Sequence, residues 1–163
     1  MEKQQILGVG DFAATNESGG SLKTFALGSC VAVILLDPKC KAVGMVHVAL
    51  PRSDTNRARA REKPGYFADT GIDALVEEMA RIGCDPKGRG MVVKLAGGAR
   101  VLDMDATFDI GHKNALAVRK HLWSMGLGPV AEDLGGTRSR TVEIDVDTGC
   151  VTIFASSGER WGL

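Results

Sequence analysis

Two apolar runs separated by a short polar gap dominate the hydropathy pattern. Cys30-Val31-Ala32-Val33-Ile34-Leu35-Leu36 is unbroken, and Gly44-Met45-Val46-His47-Val48-Ala49-Leu50 follows soon after. Both read as strands. Between them, Asp37-Pro38-Lys39-Cys40 has turn chemistry, with an Asp to cap the corner and a Pro that presets φ. A hairpin with those four residues as its loop pairs Leu36 with Lys41 and sets Cys30 directly opposite His47. Strand side chains alternate in direction, so an even loop keeps that pair on one face and a one-residue slip separates it.

Elsewhere the pattern is plainer. Residues 6–9 read as a short strand, 18–21 as a loop around Gly19-Gly20, and 22–26 as a strand that feeds into the Leu27-Gly28-Ser29 corner, bringing Thr24 near Cys30. Residues 52–65 are polar and arginine-rich without either apolar period, which predicts a mobile loop. Ile72, Leu75, Val76, Met79 and Ile82 fall at helical spacing, with Asp69 or Thr70 as N-cap and Gly83 as the stop. Ala115, Val118, Leu122 and Met125 mark a second helix ending at Gly126. Residues 91–96 and 129–134 read as strands. Val142, Ile144 and Val146 alternate with acidic residues before a Thr148-Gly149 turn into a last strand at 150–154, a hairpin with one wet face. Strands dominate, most neighbours are joined by hairpins, and the two helices are insertions. The expected fold is α+β: a layered α/β/β single domain over residues 1–163 with a largely antiparallel or mixed sheet, two main amphipathic helices and short flexible ends.

Composition narrows the function. The chain has 163 residues, 44% of them apolar, enough for one domain with a core. Its 20 basic and 20 acidic residues cancel, which removes the charge attraction behind most non-specific nucleic-acid binding, and no nucleic-acid partner is expected. No apolar run approaches the ~20 residues of a membrane helix, and the polar start Met1-Glu2-Lys3-Gln4-Gln5 has no signal-peptide character, so a cytoplasmic protein is expected. Cys30, Cys40, Cys84 and Cys150 lack CxxC spacing, which argues against a disulfide framework or a zinc site; the last three read as structural or incidental thiols. His112 and His121 fall on opposite sides of the second helix and make no metal pair. Gly97-Gly98 and Gly135-Gly136 match no phosphate-cradle pattern and read as turns or bulges. Neither a cofactor nor a metal is expected.

Candidate chemistry then rests on Cys30 and His47. Taken singly, each has a structural reading as a core cysteine and a satisfied core histidine, and Thr24 suits a strand in any case. Ser29 is a poor nucleophile candidate because, as the neighbour of Cys30, it points the other way. As a facing pair, however, a thiol and an imidazole can perform nucleophilic catalysis, the imidazole taking the thiol proton.

The segments that carry these residues resemble a known family. Residues 24–33, Gly44 to Pro51, Lys94-Leu95-Ala96-Gly97-Gly98-Ala99, Ile110-Gly111-His112-Lys113-Asn114 and Asp133-Leu134-Gly135-Gly136 are similar to the chemoreceptor glutamine deamidases, the CheD family, over about residues 8–153. The resemblance implies a cysteine hydrolase that converts particular glutamines of bacterial chemoreceptors to glutamate, with Cys30, His47 and Thr24 as catalytic set. It also implies chemoreceptor cytoplasmic helices as substrate and a phosphatase of the chemotaxis response regulator as regulatory partner. The chemistry expected is attack of Cys30 on the carboxamide, a thioester, and hydrolysis, with backbone N–H groups of the Leu27-Gly28-Ser29-Cys30 corner facing the oxyanion and Gly28 permitting an unusual φ. Thr24 would hold the other ring nitrogen of His47. One alternative is a non-catalytic binding module that regulates the phosphatase. Another is a thiol redox sensor at Cys30. The arginine-rich stretch 52–63 reads as a solvated loop, or as a segment that steers the protein toward acidic helices.

Overall fold

The computed structural model describes residues 3–100 and 109–163. In chain order these form β1 (Lys3–Leu7), β2 (Phe12–Thr15), β3 (Gly20–Leu27), β4 (Val31–Asp37), β5 (Ala42–Val48), α1 (Arg57–Glu62), α2 (Ala68–Arg81), β6 (Val92–Gly97), α3 (Ile110–Ser124), β7 (Pro129–Leu134), β8 (Arg140–Asp145), β9 (Val151–Ala155) and β10 (Arg160–Gly162). One sheet has the order β1-β3-β8-β9-β10 and the other β2-β5-β4-β6-β7. Each is mostly antiparallel with one parallel pair, β1 with β3 and β6 with β7.

The unbroken apolar run of β4 follows from its place between two cores. Val31, Val33 and Leu35 pack with Ile72, Leu75, Met79, Val118 and Leu122 of α2 and α3. Ala32 and Ile34 pack with Leu22, Val142, Ile144 and Ile153 of the other sheet. Both faces are covered, so neither needs polar residues. The result is the α/β/β layering expected from the sequence, with two main helices on one outer side. Strands β8 and β9 alternate buried and half-exposed, the single wet face predicted for that hairpin.

Several expectations need correction. The β4–β5 register is two residues from the one predicted: Asp37 pairs with Ala42, and Ala32 stands opposite His47. Asp37 stays in the strand because its Oδ1 accepts from the amides of Lys39 and Cys40 at 2.9 and 3.3 Å, capping the loop from below. Lys41, at φ 52°, closes it. The loop is still four residues long, so the parity survives and Cys30 keeps to the side of His47, packing on the same core as Ala32. It sits diagonal to the histidine, one residue before the first ladder pair.

The segment expected as a mobile loop is instead a chain of helical turns: Ser53–Thr55, then α1, then Pro64–Tyr66. Alanine and arginine favour helix, and the side chain of Asn56 caps α1 by accepting from the Arg59 amide at 3.1 Å. No residue of α1 is buried, which is why no apolar period marked it. Helix α2 starts at Ala68 with Phe67 as its uncapped N-cap residue, so neither Asp69 nor Thr70 caps it. Asp69 accepts instead from the Ser53 amide and hydroxyl, at 3.1 and 2.6 Å, and Thr70 donates to the Pro64 carbonyl at 2.6 Å. The ends expected to be flexible are edge strands, β1 beside β3 and β10 beside β9. Their residues are largely exposed, so they carried little apolar signal. Met1 and Glu2, part of the polar start, lie outside the described residues. Among the described residues, no helix is long and apolar enough to cross a membrane.

Candidate active site

Residue alternation on β3 and β5 brings the first two site residues together. Thr24 and His47 both point into the space between the sheets, and their exposures are 0% and 2%. The Thr24 hydroxyl lies 2.7 Å from His47 Nδ1 and 2.7 Å from the Leu7 carbonyl oxygen. A hydroxyl has one proton to donate, and a carbonyl can only accept. Thr24 therefore donates to Leu7, and Nδ1 carries a proton that it donates to Thr24. With the proton on Nδ1, Nε2 of the neutral ring holds the free lone pair. That nitrogen is buried and has no hydrogen-bond partner among the described residues. The backbone around the ring is fixed as well, since Gly10 N donates to the His47 carbonyl at 2.8 Å and His47 N donates to the Asp11 carbonyl at 3.0 Å.

Cys30 is half-buried at the end of the corner that joins β3 to β4. A bulge between Thr24 and Leu27 breaks the β3–β8 ladder just before that corner. The left-handed backbone there falls on Ala26, at φ 54°, and not on Gly28 as expected from the sequence. The carbonyls of the corner are tied down one after another. Ala99 N donates to Gly28 O at 2.8 Å, Asn114 Nδ2 to Ser29 O at 2.9 Å, and Gly98 N to Cys30 O at 2.8 Å. Gly97 explains how closely this loop fits: at φ 115°, a Cβ there would lie 2.2 Å from the Cys30 carbonyl oxygen. The glycine pair is thus a close-approach device, consistent with its reading as a turn.

Asn114 is the residue whose part the sequence did not reveal. Fully buried, it also donates to the Ala49 carbonyl at 3.0 Å, so one amide group bridges the corner before Cys30 and the end of β5 beyond His47. The signal was present: a polar residue four positions before Val118 sits on the buried face of α3. His112 and His121 are on that helix too, and His121 Nε2 pairs with Asp73 at 2.8 Å.

Electrostatics favour the neutral form of both the Cys30 thiol and the His47 imidazole. Burial pushes the Cys30 thiol above its ordinary value, opposed by a hydrogen bond from its own backbone amide. Burial pulls the His47 imidazole down to about 4, with the Asp11 carboxylate working against that and the Lys63 ammonium adding to it. Asp11 itself is pushed up by its burial but held below the usual carboxylate range by the Gly8 amide at 2.7 Å and by Lys63 at 3.2 Å.

The site thus holds a half-buried thiol on the same side of the β4–β5 pair as a buried imidazole that bonds a buried threonine, within a layered α+β fold. The sequence profile described as CheD chemotactic sensory transduction matches residues 49–155. A probable chemoreceptor glutamine deamidase CheD of Syntrophotalea carbinolica is 51% identical over 97% of this chain and 98% of its own length. The chemoreceptor glutamine deamidase CheD of Thermotoga maritima is 40% identical over 95% and 94%. A probable one from Archaeoglobus fulgidus is 37% identical over 99% of both. This chain belongs to the CheD family.

Proposed function

We propose that this protein is a chemoreceptor glutamine deamidase, a hydrolase that converts glutamine side chains of chemoreceptor signalling helices to glutamate, with Cys30 as nucleophile, His47 as general base and acid, and Thr24 as the residue that orients the ring. The observation that carries the reading is the Thr24 to His47 hydrogen bond. It reserves Nε2 as the basic nitrogen, on the side of the sheet where Cys30 packs.

The thiol and imidazole start neutral, so the proton moves when substrate is present and no ion pair waits beforehand. His47 Nε2 takes the Sγ proton as Sγ attacks the carboxamide carbon, and the carbonyl π electrons go to oxygen. Backbone amides of the 27–30 corner serve the oxyanion, where loss of one donor typically costs ~10²–10³ in rate. When the tetrahedral adduct collapses, the C–N bond breaks, Nε2 returns its proton to the departing ammonia, and a thioester remains. Water, deprotonated by the same nitrogen, attacks that thioester and leaves glutamate with the thiol restored. The imidazolium formed on the way is stabilised by the Thr24 oxygen and by the Asp11 charge. Each conversion adds a negative charge to a packed helix surface, which biases a two-state signalling assembly. Receptor signalling helices place the protein in the cytoplasm, and a response-regulator phosphatase as regulatory partner accompanies this reading.

The test is peptide mass spectrometry of a receptor cytoplasmic fragment incubated with wild type or with Cys30→Ala. Amide-to-acid conversion by wild type and none by the variant is the expected result. Equal conversion by both would overturn the assignment of Cys30, and none by wild type would favour the binding-module alternative.

A further inference from the structure

Two of the three cysteines outside the site meet in space. Cys40, at the tip of the β4–β5 hairpin, and Cys84, just beyond α2, come together with the Asp37 carboxylate so that one ligand-capable atom of each lies within 4.8 Å of the other two. Asp37 and Cys84 are buried and Cys40 is half-buried at the surface of a cleft also lined by Pro38, Lys39 and Arg89. We infer that Asp37, Cys40 and Cys84 form a binding site for a thiophilic divalent cation of the zinc class, at the end of the hairpin remote from Cys30 and His47.

The donor set selects the metal class. Two thiolates and one carboxylate suit zinc and its tetrahedral relatives, whereas magnesium and calcium take oxygen donors alone. The spacing also fits. Zinc–sulfur bonds of ~2.3 Å put two sulfurs of a tetrahedral site about 3.8 Å apart, so the cluster needs an inward movement of only about 1 Å, within the reach of side-chain rotation. Asp37 is already oriented from behind, since the Lys39 and Cys40 amides donate to its Oδ1. Such outer contacts tune real metal ligands. The Cys40 thiol donates to the Gly83 carbonyl oxygen at 3.2 Å, a contact that metal binding would replace. Three deprotonated ligands and a divalent ion leave one net negative charge, which Lys39 and Arg89 at the cleft can offset. A fourth position would open to the cleft and take water.

Binding releases the two thiol protons to solvent and involves no redox change. The site would tie the hairpin tip to the segment that follows α2, a link between layers that no chain connection supplies. Six residues of extended strand separate it from the start of β4, about 20 Å at ~3.3 Å per residue, so it is structurally independent of the proposed catalysis.

The test uses full-length protein kept reduced with a phosphine and freed of metal by a chelator, titrated with cobalt(II). The expected result is one equivalent bound with thiolate-to-cobalt charge-transfer bands and tetrahedral d–d bands, bleached by one equivalent of zinc, retained in Cys30→Ser and lost in Cys40→Ser and Cys84→Ser. Absence of the bands in wild type, their persistence in Cys40→Ser, or their loss in Cys30→Ser would overturn the site. Wild type alone gives a second reading free of folding effects. Zinc should protect Cys40 from iodoacetamide while leaving the exposed Cys150 equally reactive, and unchanged alkylation of Cys40 would count against the inference.

Discussion

The buried neutral His47 makes stability depend on pH in a way that can be isolated. Its folded value is about 4, against the ordinary 6.5 expected when the chain unfolds. Between those two values the unfolded chain binds a proton that the folded chain refuses. Stability therefore rises with pH across that window, is complete above the unfolded value, and falls as pH drops through it toward 4. Moving from pH 7 to pH 5 should remove about 2 kcal/mol on this account, and by pH 4 the loss should reach about 3 kcal/mol. Carboxylates titrate there too, so the comparison is with His47→Asn, whose side-chain amide N–H stands near the place of Nδ1–H and which has no titrating group. Urea unfolding followed by circular dichroism at pH 7 and pH 5 gives both stabilities. The wild type should lose about 2 kcal/mol more than the variant over that step. Parallel losses in the two proteins would mean that His47 reaches solvent or is protonated at rest, and the burial argument would fail.

Two further substitutions probe the arrangement around the ring. Thr24→Val keeps shape but leaves the Nδ1 proton without a partner, a penalty of about 1–3 kcal/mol that should appear as a roughly 10–100-fold lower kcat with little change in KM. Full activity in that variant would remove Thr24 from the proposed mechanism. Asn114→Ala deletes the donors to Ser29 O and Ala49 O and leaves a gap, so thermal or urea unfolding should show a loss of about 2–4 kcal/mol. A loss below about 1 kcal/mol would mean that neither bond matters.

How much of this was legible in the chain differs by element. Residues 30–36 and 42–48 announced themselves because both faces of a central strand are buried and the apolar run cannot be interrupted. Helix α2 was equally plain from its periodic buried face, and β7 ran over the predicted 129–134. By contrast, α1, β1 and β10 bury little side-chain surface, and a segment that contributes little to the core leaves little pattern. The register error at Asp37 has a related cause. Turn chemistry marks the corner, but whether an aspartate caps it from within the loop or from the last strand position depends on side-chain geometry.

Strand parity and apolar alternation, local properties written residue by residue, were enough to set the layering and the side of the sheet on which Cys30 and His47 lie. The resemblance of its motifs added the catalytic candidates. Packing settles the rest: Thr24 donates to Leu7, which leaves the free lone pair on Nε2, Asn114 bridges the corner before Cys30 and the end of β5, and Cys40 and Cys84 meet beside Asp37. Those facts arise where distant segments pack, and the distance between two atoms that are far apart along the chain is fixed by the packing of the layers between them and not by any spacing in the sequence.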